Sequence, residues 1–156
     1  MIIDTNSNCT RQASFLVQRG VEAVGRYYAA SRGSKVITKA EARVLSASGV
    51  KIFAVYEDVG SASQFNLTAD QGGNDARRAK SQASAIGQPK GGVIYFAVEG
   101  LPGGYKSADL PGIKNYFSGI TNALGNDYTA GVYGDGIVCR TPLLQAYLAG
   151  ASFLGL

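Results

Sequence analysis

Histidine is absent from this chain, and so is tryptophan. Without histidine there is no Ser-His-Asp or Cys-His mechanism, and the commonest zinc ligand is missing. Any chemistry falls to carboxylates, tyrosine, lysine or a bound group, and the residues give no sign of a metal or cofactor. Cysteine is scarce: Cys9 and Cys139 stand far apart with no C-x-x-C spacing, which excludes a thioredoxin-like motif and a cysteine-rich zinc site. The two fit either one disulfide in an exported protein or a pair of buried thiols. Charge of one sign is modest, with 15 Lys and Arg against 11 Asp and Glu, a net +4. That excess suits an anionic surface such as a cell-wall polymer. With no basic cluster interleaved with aromatics, it argues against nucleic acid. Long apolar runs are lacking too. The longest, Val93 to Val98, is far too short to span a bilayer. Met1-Ile2-Ile3-Asp4 has no basic stretch followed by a long apolar one, so no signal peptide is expected in this sequence.

What the chain does have is enough apolar residue for a core (46% hydrophobic, 17% charged) and 21 glycines, in a length that suits one domain over residues 1–156. Short β-rich runs alternate with helical stretches. Strands are predicted at Ile2–Thr5, Val21–Tyr28, Val50–Glu57, Gly92–Glu99 and Tyr128–Gly134, with Ser152–Leu156 as the start of a sixth. Lys51-Ile-Phe-Ala-Val-Tyr and Val93-Ile-Tyr-Phe-Ala-Val are nearly continuous in apolar residues, as parallel strands buried on both faces are. Helices are predicted at Thr10–Gln18, Lys39–Ser48, Ala69–Ile86, Leu110–Leu124 and Pro142–Ala149. Thr38-x-x-Glu41 reads as a capping box, and Thr141-Pro142 as an N-cap with proline at the first helical position. Gly20, Gly49, Gly87 and Gly150 fall where helix C-caps belong.

Repeated βα units imply a parallel sheet with right-handed crossovers. Two architectures fit: an open doubly wound sheet, or part of a (β/α) barrel with about five to six units where a full barrel needs ~250 residues. In both, the site lies at the carboxyl ends of the strands. Those ends carry Asp4; Arg26-Tyr27-Tyr28; Tyr56-Glu57-Asp58; Glu99; and Tyr133 followed by Asp135. Any one acid there fits a helix cap or a solvated turn. Their recurrence at one edge matters more, because gathered carboxylates raise one another's pKa, as a general acid requires.

Glu99 leaves a buried strand directly, which makes it the strongest candidate acid. Asp4 is its natural partner, and Glu57 is the reserve. Arg26, Tyr28, Tyr56, Tyr133 and Asp135 are expected to bind substrate, the tyrosines by stacking on sugar rings, while Tyr95 suits the core. Gly134-Asp135-Gly136 also raises the alternative of a phosphoryl-ligand cradle in a doubly wound domain. The sequons Asn8-Cys-Thr10 and Asn66-Leu-Thr68 are weak matches.

Ile3-Asp4-Thr-Asn, Val24-Gly-Arg-Tyr-Tyr28, Ile52-Phe-Ala-Val-Tyr-Glu57, Ile94-Tyr-Phe-Ala-Val-Glu99 and Gly131-Val-Tyr-Gly134 follow one another in this order. As a set they resemble the bacterial glycoside-hydrolase-like domain of unknown function, a TIM-barrel family related to the family-twenty-five muramidases. The resemblance covers the whole chain. It implies an extracellular or wall-associated barrel acting on cell-wall glycan, or holding it without cleavage as a binding module. In those muramidases a first-strand Asp and an Asp-x-Glu on the fourth strand line the pocket. Asp4 and Glu99 match two of the three, while Ala97 stands where the paired Asp would be, so Asp4 or Glu57 must supply the second acid. On this resemblance the C-terminal strands of the barrel are expected to be missing, leaving a sheet edge open to self-association.

Overall fold

A computed structural model describes residues 1–29, 33, 35–58, 67–101, 103–140 and 153–155, with side chains placed through residue 139. The expected helix Pro142–Ala149 and the Gly150 cap lie outside these residues. The elements run β1 (Ile2–Asp4), α1 (Ala13–Gln18), β2 (Ala23–Tyr28), α2 (Lys39–Ala47), β3 (Lys51–Tyr56), α3 (Ala69–Ile86), β4 (Val93–Val98), α4 (Leu110–Leu124), β5 (Thr129–Gly134), α5 (Gly136–Arg140) and β6 (Phe153–Gly155).

All neighbouring strands pair in parallel, in the order β1-β2-β3-β4-β5-β6. This order decides between the two architectures. A doubly wound sheet reverses direction once, so that helices cover both faces. Right-handed crossovers that always step the same way put every helix on one face, as in a barrel wall. The doubly wound alternative is therefore overturned, and the chain folds as a partial (β/α) barrel.

Period-two alternation sorts the side chains. Tyr28, Ala54, Tyr56, Ile94, Phe96, Val98, Ala130 and Val132 face the helices and form the main core with Ala76, Ala79, Ile113, Phe117 and Ile120, while Val24 faces the same way into a smaller cluster with Leu16 and Leu45. The alternate positions Tyr27, Val55, Tyr95, Ala97 and Tyr133 form a separate cluster on the inner face, with Phe53 and Val93 packed against it. Tyr95 meets Phe53 edge-on there, ring centroids 6.0 Å apart, in the packing role its position implies. Two glycines make room for these rings. A Cβ on Gly25 would lie 2.5 Å from Phe53, and one on Gly131 would lie 2.5 Å from Tyr95.

The inner face is concave, which one bond establishes. Tyr133 on β5 donates to Asp4 on β1 at 2.6 Å. Four strand spacings of a flat sheet would separate those strands by roughly 19 Å, so the sheet must curl to bring them together.

The helices end where local chemistry predicts. The hydroxyls of Thr38 and Thr68 accept from the amides of Glu41 and Gln71, capping α2 and α3. Gly87 closes α3 at φ +89°, a left-handed position that suits glycine. Helices α3 and α4 pack through glycine: a Cβ on Gly72 would lie 2.0 Å from the Tyr116 carbonyl oxygen, and one on Gly119 would lie 1.8 Å from that of Ala69. Among the described residues no helix is long and apolar enough to cross a membrane.

Candidate functional site

The inner-face positions at the strands' carboxyl ends build an acidic mouth. Asp4 ends β1, Glu57 follows β3, Glu99 follows β4 by one residue and Asp135 follows β5. Val98 pairs with Gly134, so one further step sets Glu99 beside Asp135 across neighbouring strands.

Asp4 is held by two tyrosines. The Tyr27 hydroxyl donates at 2.8 and 2.9 Å to its two carboxylate oxygens, and the Tyr133 hydroxyl donates at 2.6 Å to Oδ2. Burial and the hydrogen bond to Asp4 push both phenols well above their ordinary value, so they remain protonated donors. Asp4 itself is exposed on its other side. An ionised carboxylate offers about four lone-pair sites, so these hydroxyls orient Asp4 without saturating it.

Glu57 has a different partner. Lys35 Nζ approaches its Oε2 at 3.3 Å and lies 5.5 Å from the centre of the Tyr27 ring. Glu99 has neither an ion pair nor a hydrogen bond among the described residues. It is half-buried, and burial, then the Glu57, Asp135 and Asp4 carboxylates in that order, push its carboxyl above the usual range. Asp135 is also half-buried, and its carboxylate has no hydrogen bond or ion pair among the described residues. No group of three or more Asp, Glu or Cys among the described residues is arranged to hold a metal ion.

Three expected substrate binders lie on the wrong face, which corrects the sequence reading. Arg26 is fully buried towards the helices, its Nε 2.8 Å from Glu41 Oε1 and its Nη1 donating to the Thr5 carbonyl at 2.6 Å. Tyr28 is fully buried and donates at 2.7 Å to Gln88 Oε1. Tyr56 packs against Phe96 and donates at 3.2 Å to the buried Asp75. The physical reason is alternation. With Glu99 and Tyr95 facing inward, the register between β2 and β3 turns Tyr27 into the barrel and Arg26, Tyr28 and Tyr56 away from it. Tyr133, Asp135, Asp4, Glu57 and Glu99 do come to the same mouth.

Sequence reasoning left three groups unassigned. Tyr27 could have been found by carrying the alternation from Glu99 across the sheet. Lys35 comes from the β2–α2 connection, where no periodicity places it. Tyr105, in the β4–α4 connection, packs in the helix-side core close enough to Asp135, Asp109 and Glu99 to feel their charges, and its hydroxyl has no hydrogen-bond partner among the described residues. The glycine-rich Gly134-Asp135-Gly136 proves to be a tight entry to α5. A Cβ on Gly134 would lie 2.1 Å from the Val98 carbonyl oxygen, so close strand contact accounts for that glycine, and the Asp135 carboxylate would repel a phosphate. Cys9 and Cys139 are both buried, and they are not joined to each other in a disulfide.

Known proteins bear on these features as follows. Residues 14–153 match the Rv2525c-like, glycoside hydrolase-like domain family. Among curated proteins the chain is similar to two from Bacillus subtilis (strain 168). It is 33% identical to uncharacterized protein FadG over 150 residues, which is 92% of this chain and 25% of FadG. It is 35% identical to uncharacterized protein YbfG over 142 residues, covering 82% of this chain and 19% of YbfG. The chain thus spans only about a quarter or a fifth of these relatives. Among solved structures it is similar in fold to an uncharacterized B. stearothermophilus protein, with a TM-score of 0.72, 18% identity, and coverage of 97% of this chain and 72% of that one. With a family match across nearly the whole chain and a single-wound parallel sheet beneath it, this chain belongs to the Rv2525c-like, glycoside hydrolase-like domain family.

Proposed function

We propose that this domain cleaves a glycosidic bond in bacterial cell-wall glycan outside the cell, using two carboxylates. The observation that carries the reading is Glu99: a half-buried carboxyl, unpaired among the described residues and pushed up in pKa, at the mouth of a partial barrel among three other acids. A group so placed keeps its proton to higher pH than an ordinary Glu and can release it to a leaving oxygen. The glycosidic C–O bond then breaks with its electron pair moving to that oxygen, and positive charge develops at the anomeric carbon. Asp4, oriented by Tyr27 and Tyr133, meets that charge directly or through water. Glu57 is the less suitable partner because Lys35 already engages it.

The test is release of reducing ends from purified bacterial wall glycan. Glu99→Gln is expected to lower release by roughly 10²–10⁴-fold, the usual contribution of a general acid, while glycan retention persists. Equal release by wild type and Glu99→Gln would refute the assignment. Retention with no release by wild type would favour a binding module, a role in which Asp4 and Tyr133 hold sugar hydroxyls.

A further inference from the structure

The charge of the mouth runs against the charge of the chain. The protein carries a net +4, yet Asp4, Glu57, Glu99 and Asp135 all end at one opening, and among the described residues the Lys35–Glu57 contact is their one ion pair. General acid catalysis on a neutral sugar needs two carboxylates. Two more are left over, and a polyanionic glycan would be repelled by them.

The excess is concentrated on one side. Glu99 and Asp135 stand on adjacent strands, both half-buried and both without a hydrogen-bonding partner among the described residues. The loop between β4 and α4 lies against them: a Cβ on Gly104 would lie 3.6 Å from Asp135 Oδ2. The next residue is Tyr105. It is 6% exposed, its hydroxyl is buried with no hydrogen-bond partner among the described residues, and it senses the charges of Asp135, Asp109 and Glu99 in that order. Native folds rarely leave a buried hydroxyl unpaired unless something else supplies its partner. Two carboxylates and a hydroxyl, all without partners among the described residues, suit a positively charged group rich in hydrogen-bond donors.

Building on the glycosidase reading, we propose that the Glu99–Asp135–Tyr105 side of the mouth binds the protonated amine of a glycan bearing free amino sugars. Asp135 supplies the countercharge and Tyr105 a hydrogen bond at the sugar's edge. An ammonium accepts no hydrogen bond but makes three, which suits the Asp135 carboxylate together with the carbonyl oxygen of a protonated Glu99. The Tyr105 hydroxyl then pairs with a neighbouring sugar oxygen.

The experiment compares chitosan oligosaccharides with the same preparation re-N-acetylated, so that chain length and linkage are matched and only the amine differs. Binding is measured by calorimetry at low and at raised salt, alongside release of reducing ends. The proposal expects the free-amine form to bind at least tenfold more tightly at low salt, with the preference shrinking as salt rises. Asp135→Asn is expected to abolish most of that ratio. Tyr105→Phe gives a readout that a merely structural tyrosine would not: removing an unpaired buried hydroxyl should raise the melting temperature of the free protein and reduce amine-glycan affinity severalfold. Equal binding of the two forms, preference for the acetylated form, no binding of either, or an undiminished ratio in Asp135→Asn would each overturn the proposal. The catalytic reading fails separately, on cleavage. Amine preference with no release from any glycan would leave this inference standing and remove Glu99 as an acid, whereas release abolished by Glu99→Gln with no amine preference would do the reverse.

Discussion

Glu99 and Asp4 are both carboxylates at strand ends, yet their surroundings differ. Asp4 meets hydroxyl donors, while Glu99 meets a low-polarity wall and other acids. The burial that raises the Glu99 pKa carries a cost in stability. Glu99 has a folded-state pKa raised above the unfolded value, so its favourable contribution is complete below the unfolded pKa and is lost as pH rises through the folded one. Glu99→Gln, which cannot ionise, should therefore be more stable than wild type at neutral pH. The gap should close on acidification towards about pH 4, near an ordinary Glu pKa. Thermal melts of both proteins across that range check it; a variant less stable than wild type at pH 7 would mean that Glu99 is structural. Tyr133→Phe removes the bond from β5 to the Asp4 carboxylate on β1 and should cost about 1.5–3 kcal/mol in denaturant unfolding, the usual worth of a hydrogen bond to a charged group.

At the scale of elements, the sequence was most legible where one chemistry had one solution. The caps at Thr38 and Thr68, the glycine end of α3 and the buried apolar strands are all local and are found where local rules put them. Glu41 shows where locality stops. Thr38-x-x-Glu41 has the spelling of a capping box, and the threonine half is present. The glutamate is instead drawn inward, 2.7 Å from the amide of Cys9 and paired with Arg26 at 2.8 Å, with both charged side chains fully buried. A buried arginine outcompetes a capping amide for a carboxylate. This ties β2 and α2 to the segment after β1, which nothing in the four residues of the motif could announce. Glu41→Leu should cost about 3–5 kcal/mol by stranding the Arg26 charge, and adding Arg26→Met should recover a large part of it. Denaturant unfolding of the two single variants and the double variant measures this. Gly119→Ala should cost about 1–3 kcal/mol or more, because α4 must move off the Ala69 carbonyl to make room for the methyl.

At the scale of the whole molecule, the order of the parallel strands decides the class, and sequence alternation could not reveal that order. Crossover rules allowed both an open sheet and a barrel wall, length favoured the open sheet, and only the resemblance to a barrel family favoured the barrel. The same missing register explains the misplacement of Arg26, Tyr28 and Tyr56. Each stands at the correct end of its strand, but which face it takes depends on how neighbouring strands pair. Lys35 and Tyr105 were invisible because loops have no period to read. Among the described residues β1 pairs on one side only, and Ile2 is 59% exposed there. Such an edge invites further strands. Ile2→Lys should reduce concentration-dependent association in light scattering, and a wild type that scatters as a monomer at every concentration would show the edge to be harmless.

The account rests above all on the protonation of Glu99, which carbon-detected NMR of the side-chain carboxyl can follow directly through a pH titration of the 156-residue chain. The prediction is a midpoint above the ordinary Glu value of about 4.3, falling when Glu57→Gln removes the carboxylate that acts on it most strongly. A Glu99 midpoint at or below the ordinary value, unchanged by Glu57→Gln, would contradict the acid role assigned to this mouth.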